Sequence, residues 1–278
     1  PTLSMECPTC TFANRASAAA CEMCGSSLGG GTAGSTEACP RCTFTNSPGA
    51  SRCEVCGTSL SAQRDSEEVS AEALVVGSVS QYSVPDGRSA CTFMALHSVA
   101  AVSRLLASLS VEHGGDHGPS SVMNDPSVAQ AMSETIDASV MAGQQSYTVA
   151  SQLGALDTEH SSCQEALALL QASSTSATDV ASLKAEAPRQ ISTEHASVFA
   201  DALRECATRS VAAKRPVGAV VTKPPETVAV VCAGERGVWV VDSHPRPAMG
   251  VETAYAAGFG SVDAAARWLR ALFPFVDM

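Results

Sequence analysis

Three side chains have types and spacings that could assemble a nucleophile and its base. The stretch Gly237 to His244 reads GVWVVDSH, four β-favouring residues running into Asp242-Ser243-His244. Side chains alternate along a strand, so Asp242 and His244 are expected on one face, where the carboxylate can fix the imidazole's tautomer. An imidazole held in that way can act as a general base. The partner nucleophile is Cys91, which opens the apolar run CTFMALHSVAAV, Cys91 to Val102. That run is apolar on nearly every face and reads as a central buried helix, and a thiol at a helix N-terminus gains thiolate character from the helix dipole. Read singly, each residue has a plainer role: a core cysteine, and a polar pair solvating the turn before Pro245. His97 reads as a satisfied core histidine, and Cys163, Cys206 and Cys232 read as core or helix-face thiols.

The elements that must position these residues follow from apolar periodicity. Ala73 to Val79 is a short strand, followed by Gln81 and the turn-like Val84-Pro85-Asp86-Gly87. After a loop over residues 112–121, helical patterns run over 125–142, 162–172 and 193–212. Gly218 to Val221 and Thr227 to Cys232 are strands on either side of Lys223-Pro224-Pro225-Glu226, a hairpin signal. A turn at Gly234 to Gly237 leads into the strand before Asp242. Tyr255 to Phe259 is one more strand, and Ser261 caps a final amphipathic helix. Helices first and an antiparallel sheet afterwards make an α+β arrangement.

Eight of the twelve cysteines lie in the first 56 residues. Cys7-x2-Cys10-x10-Cys21-x2-Cys24 is repeated 32 residues later as Cys39-x2-Cys42-x10-Cys53-x2-Cys56. Two C-x2-C knuckles across a short loop offer four thiolates to one Zn2+, so the repeat predicts two structural zinc ions. Units this small have almost no core, and the metal would supply most of their folding free energy. The knuckles are followed by Thr11-Phe12-Ala13-Asn14 and Thr43-Phe44-Thr45-Asn46, and the second knuckles enclose Met23 and Val55. These residues resemble the NZF branch of the Ran-binding-protein zinc fingers, in which such positions contact the apolar patch of ubiquitin. The resemblance implies ubiquitin contacts through Thr11, Phe12 and Met23, and through Thr43, Phe44 and Val55. The family's usual Trp two residues before the first Cys is replaced by Met5 and Glu37. RNA binding, known among related fingers, is the weaker expectation, since the fingers offer three arginines and no Trp.

A buried helix opening on Cys, with Asp-x-His on a much later strand, is the arrangement of papain-like thiol hydrolases. GVWVVDSHPRP, Phe259-Gly260-Ser261 and the terminal Leu269-Arg270-Ala271-Leu272-Phe273 resemble the deubiquitinase domain of herpesvirus large tegument proteins and their viral-tegument-like relatives. The resemblance spans roughly residues 74–278. It implies a papain-like fold, with a helical lobe plus an antiparallel sheet. It also implies Cys91 as nucleophile, His244 as base and Asp242 as its orienter, with Gln81 as donor to the oxyanion. Ovarian-tumour proteases place Asp-Gly one residue before the Cys, whereas here three residues separate Asp86-Gly87 from Cys91. Ubiquitin-fold-modifier and autophagy proteases read Asp-Pro-His, where this chain has Ser243.

The expected organisation is a first NZF finger over residues 1–29, a second over 36–61, a flexible linker over 62–73 and a papain-like domain over 74–278. The expected function is hydrolysis of isopeptide bonds after the ubiquitin C-terminus, with ubiquitin and polyubiquitin chains as partners. A protease for another ubiquitin-like modifier and an inactive ubiquitin-binding adaptor stay open as alternatives. A net charge of −11 disfavours nucleic acid and anionic membrane as ligands. No secretory signal is visible, no apolar run of membrane-spanning length stands out, and the thiol-rich composition suits a reducing compartment, cytoplasmic or nuclear.

Overall fold

The computed structural model describes residues 4–6, 13–15, 46–47, 50, 52–53, 55, 70–85, 87–112, 118–156, 161–172, 180, 183–184, 186, 188 and 197–273. The chain divides into two compact units, one made mainly of Pro1–Ser66 and the other of Glu67–Phe275.

In the first unit, β1 (Ser4–Glu6) pairs antiparallel with β2 (Ala13–Arg15), Met5 facing Asn14 across the ladder. The segment joining them contains Cys7 and Cys10, so this pair brackets the first knuckle. Of the eight candidate zinc ligands, Cys53 alone is among the described residues, and it is buried. Cys7, Cys10, Cys21, Cys24, Cys39, Cys42 and Cys56 lie outside them, as do Thr11, Phe12, Met23, Thr43 and Phe44. Val55, inside the last knuckle, is described, and 64% of its surface is exposed.

The second unit mixes helices with one antiparallel sheet. Its strands are β3 (Ala73–Val76), β4 (Val217–Lys223), β5 (Glu226–Cys232), β6 (Val238–Asp242) and β7 (Tyr255–Phe259). They lie in the order β3-β7-β6-β5-β4, every neighbouring pair antiparallel. Pro224-Pro225 closes the expected β4–β5 hairpin. Gly237 turns the chain into β6 at φ 75°, and a Cβ there would sit 2.2 Å from the Phe259 carbonyl oxygen, so both backbone and space require glycine.

The helices are α1 (Cys91–Glu112), α2 (Pro119–Asn124), α3 (Pro126–Gln152), α4 (Cys163–Ala172), α5 (Ser197–Ala213) and α6 (Val262–Leu272). Asp125 caps α3 by accepting from Ser127 N, and Ser261 caps α6 by accepting from Ala264 N. Alternation along the strands sorts the sheet into two faces. Ala229, Val231, Trp239, Val241 and Ala256 pack with Phe93, Met94, Val102, Met132, Ile136 and Val140 of α1 and α3. Val228, Val230, Val238, Val240, Ala257 and Phe259 pack on the opposite side with Phe199, Leu203, Trp268 and Leu269 of α5 and α6. Helices thus cover both faces, rather than forming one lobe ahead of the sheet.

Several expectations shift in detail. The first strand, expected over Ala73 to Val79, ends at Val76; it forms the sheet's edge against β7, and Glu72 N already donates to Gly258 O at 2.9 Å. Helix α1, which opens on Cys91, runs ten residues beyond Val102, because Leu105, Leu106 and Leu109 continue its buried stripe among the small and polar residues. Over Cys91–Leu109 α1 is long and apolar enough to cross a membrane by length and composition, which a reading ending at Val102 missed. Of that window 61% is buried inside the unit, so its apolarity has a core role here. The expected 112–121 loop ends where α2 begins, with residues 113–117 outside the described set.

Candidate active site

Asp242 is the last residue of β6, and its carboxylate folds back on the turn that follows. Oδ1 accepts from the His244 backbone N at 2.9 Å and lies 2.5 Å from His244 Nδ1. An Asp accepting from a backbone N–H two residues on is a local turn device, and here it fixes the imidazole as well. Because β6 ends at Asp242, His244 lies beyond the strand, and the two side chains meet through this turn rather than by the expected alternation along one strand face.

The second carboxylate oxygen is also occupied. Arg246 Nε donates to Oδ2 at 2.8 Å, and Tyr255 Oη lies 3.4 Å away. The same guanidinium reaches Glu226 through Nη2 at 2.9 Å and Nη1 at 3.3 Å. Asp242 is wholly buried, and burial by itself would raise its pKa, but the His244 charge and hydrogen bond, together with Arg246, hold it below the usual carboxylate range. An ionised carboxylate on Nδ1 keeps the proton there and leaves Nε2 to face a second partner.

That partner is Cys91, the first residue of α1. Its thiol and the His244 imidazole are in hydrogen-bonding contact, and the sulfur is also touched by Pro225 of the β4–β5 turn, 134 positions further along the chain. Burial pushes the His244 pKa down, but Asp242 and Cys91 outweigh it and lift the value to about 9. Burial pushes the Cys91 thiol up, and the hydrogen bond and charge of His244, aided by Thr227, more than reverse this. The two shifts point the same way, each favouring the charged form of its group. Cys91 Sγ also lies 3.6 Å from the Pro225 carbonyl oxygen. Behind it, Thr92 Oγ1 donates to Ser161 O at 3.1 Å and lies 3.4 Å from Thr227 Oγ1. Cys91 and His244 are each only 3% exposed, so in this conformation the sulfur is covered.

Gln81 opens a short turn over Gln81–Ser83 and is buried. Its backbone N donates to Ser243 O at 2.9 Å, and Ser243 Oγ donates to its Oε1 at 3.0 Å. The segment leading to it is pinned from α3, where Asp137 accepts from Ser78 N at 2.8 Å and from Ser78 Oγ at 2.5 Å. Next to Gln81, the Tyr82 ring stands edge-on to His244 with centroids 6.1 Å apart, and the residue is 53% exposed. All four residues singled out in this unit therefore gather around one strand end.

Sequence reasoning passed over Arg246, Glu226, Thr227 and Tyr82. Arg246 had a signal: it follows Asp242 and His244 at the same two-residue interval. Pro245 and Pro247 made the stretch read as a turn, and the chain does turn there, with Arg246 bridging to Val251. The other thiols are elsewhere. Cys206 on α5 and Cys232 on β5 lie beside each other, and burial raises the Cys163 pKa. His97 lies 3.0 Å from Ser146 Oγ between α1 and α3, where burial lowers its pKa to about 4.

Among the described residues no group of three or more His, Cys, Asp or Glu side chains is placed to hold a metal ion. The donor set suited to zinc is the cysteine repeat, two quartets of thiols in units too small to bury much of a core, so that metal binding would supply most of their folding free energy. The family profile described as double zinc ribbon matches residues 7–57, which takes in all eight of those cysteines. No curated protein matches the chain. The match supports zinc binding by the N-terminal segment and ends before the unit that holds Cys91 and His244.

Proposed function

We propose that the chain is a papain-like cysteine deubiquitinase whose N-terminal fingers, each organised by one structural zinc ion, bind ubiquitin. The observation that carries the reading is the meeting of Cys91 with an Asp242-bound His244 at one buried strand end. In the proposed reaction the Cys91 thiolate adds to the carbonyl carbon of the isopeptide bond after the ubiquitin tail. The imidazolium then gives its proton to the departing lysine amine as the carbon–nitrogen bond breaks, leaving a thioester. His244 next takes a proton from water, the hydroxide adds to the thioester carbonyl, and the thiolate leaves with ubiquitin's carboxylate free. Asp242 keeps the imidazole oriented and stabilises its charged form. Gln81 is the proposed donor to the oxyanion in both additions.

For the fingers, the exposure of Val55 fits a surface contact residue, and a small unit leaving apolar side chains outside marks a partner site. The proposed partners are ubiquitin and its chains, in the cytoplasm or nucleus. A second reading, an adaptor that binds ubiquitin without cleaving it, is favoured by the covered state of Cys91.

One experiment separates these. Ubiquitin carrying a C-terminal thiol-reactive electrophile is mixed with the protein and with Cys91→Ala, and adducts are read by gel shift. An adduct in the first alone is the expected result. An adduct only with probes made from other ubiquitin-like modifiers moves the protease reading to that substrate. No adduct with any probe leaves the adaptor.

A further inference from the structure

The deubiquitinase reading assigns a role to Gln81 but leaves open how its side chain is held. A glutamine amide has two ends of nearly equal shape and opposite hydrogen-bonding sense. Only the Nε2 end can donate to an oxyanion; with Oε1 in its place, two partial negative charges would face each other. In a buried site the choice between them is decided by whatever the far end touches.

Here the far end touches Ser243. Its hydroxyl donates to Gln81 Oε1 at 3.0 Å, and its carbonyl accepts from the Gln81 backbone N at 2.9 Å. One residue therefore grips Gln81 at both ends, and both residues are buried. The Ser243 hydroxyl has no other hydrogen-bond partner among the described residues. Turning the amide over would let Nε2 donate to Oγ but would leave the hydroxyl proton without an acceptor, which is costly away from water. Because Ser243 stands between Asp242 and His244, the strand end that fixes the base also fixes the amide.

We infer that Ser243 is a positioning residue that holds the Gln81 amide with Nε2 as its free, donating end toward the carbonyl oxygen of the acyl substrate. The inference rests on the deubiquitinase reading and adds to it a residue that acts only through Gln81. It also gives a physical use to the serine at this position, where a proline would supply no hydroxyl.

The test is a double-substitution cycle on the full chain, with a ubiquitin C-terminal fluorogenic amide as substrate. Gln81→Ala is expected to lower kcat about a hundredfold, the usual size for one oxyanion donor. Ser243→Ala is expected to lower kcat about tenfold, a part of that loss, with KM unchanged. Ser243→Ala combined with Gln81→Ala should be no slower than Gln81→Ala alone. Alkylation of Cys91 by iodoacetamide, which forms no oxyanion, should keep its wild-type rate and pH profile in Ser243→Ala. To separate the hydroxyl from packing, Ser243→Thr and Ser243→Val are compared, since they match in shape and only the first keeps the donor; the Val variant should be about tenfold slower.

Three results would overturn the inference: equal kcat in Ser243→Thr and Ser243→Val, a full additive loss in the double variant, or slowed alkylation of Cys91 in Ser243→Ala. Wild-type protein that leaves the substrate intact would instead sink the deubiquitinase reading itself, and the role of Ser243 with it.

Discussion

Asp242 is the residue on which the site's electrostatics turn, because both of its oxygens are committed, one to His244 and the other to Arg246. The His244 pKa is raised to about 9, so the imidazolium exists below that value and is lost as pH rises through it. Asp242→Asn removes the charge responsible. The alkaline limb of the kcat profile on the fluorogenic substrate should then move down from about 9 toward the ordinary histidine range. A limb that stays in place would mean that another group titrates there. Arg246→Met leaves Asp242 and Glu226 without their shared cation, and breaking a buried pair from one side costs about 3 kcal/mol, to be read in urea unfolding. The same variant should raise iodoacetamide access to Cys91, since Glu226 adjoins the Pro225 carbonyl that caps the sulfur. At this scale the Asp-x-His pair was legible because its members are two residues apart, although a turn after β6 and not strand alternation brings them together. Arg246 and Glu226 were not, because their meeting depends on a hairpin tip and a post-strand turn approaching through space.

Elements were legible where one period dominated. The hairpin at Pro224-Pro225, the strand before Asp242 and the Ser261-capped helix each declare themselves within a dozen residues. The run of α1 to Glu112 was harder to see, because beyond Val102 the half-buried Ser103 and the exposed Arg104 and Ser108 interrupt the apolar pattern. Where α1 meets α3 the backbones nearly touch: a Cβ on Gly143 would lie 2.5 Å from Met94 Cα and N. Gly143→Ala must therefore push α1 aside, and it is expected to cost about 2 kcal/mol by the usual scale of overpacking. Since α1 also carries Cys91, the variant should slow Cys91 alkylation. Gly118→Ala is the matched control, with nothing within 4 Å of the added carbon and an ordinary φ of −59°. Equal melting temperatures for the two variants would contradict this packing account.

On the scale of the whole molecule, the metal and the thiol belong to different units. Chelating zinc from the intact protein should therefore remove ubiquitin binding by the fingers while sparing turnover of the small fluorogenic substrate. Cleavage of ubiquitin chains should fall, because a tethered binding module raises the local concentration of its ligand. Loss of turnover on both substrates would show that the metal also supports the unit holding Cys91. Metal analysis of the intact chain should find two zinc ions, one per cysteine quartet.

The pairing of β3 with β7 joins Ala73–Val76 to residues some 180 positions further on. A chain emerging from the ribosome makes the helix that opens on Cys91 early, whereas the strand leading to His244 and the partner for β3 come late in the unit. Contacts this distant in sequence form late, after most of the chain is available. Until then the thiol has neither Asp242 nor His244 beside it and keeps the low reactivity of an ordinary cysteine. The order of the strands therefore sets when Cys91 meets His244, which happens only when synthesis of their unit is almost complete.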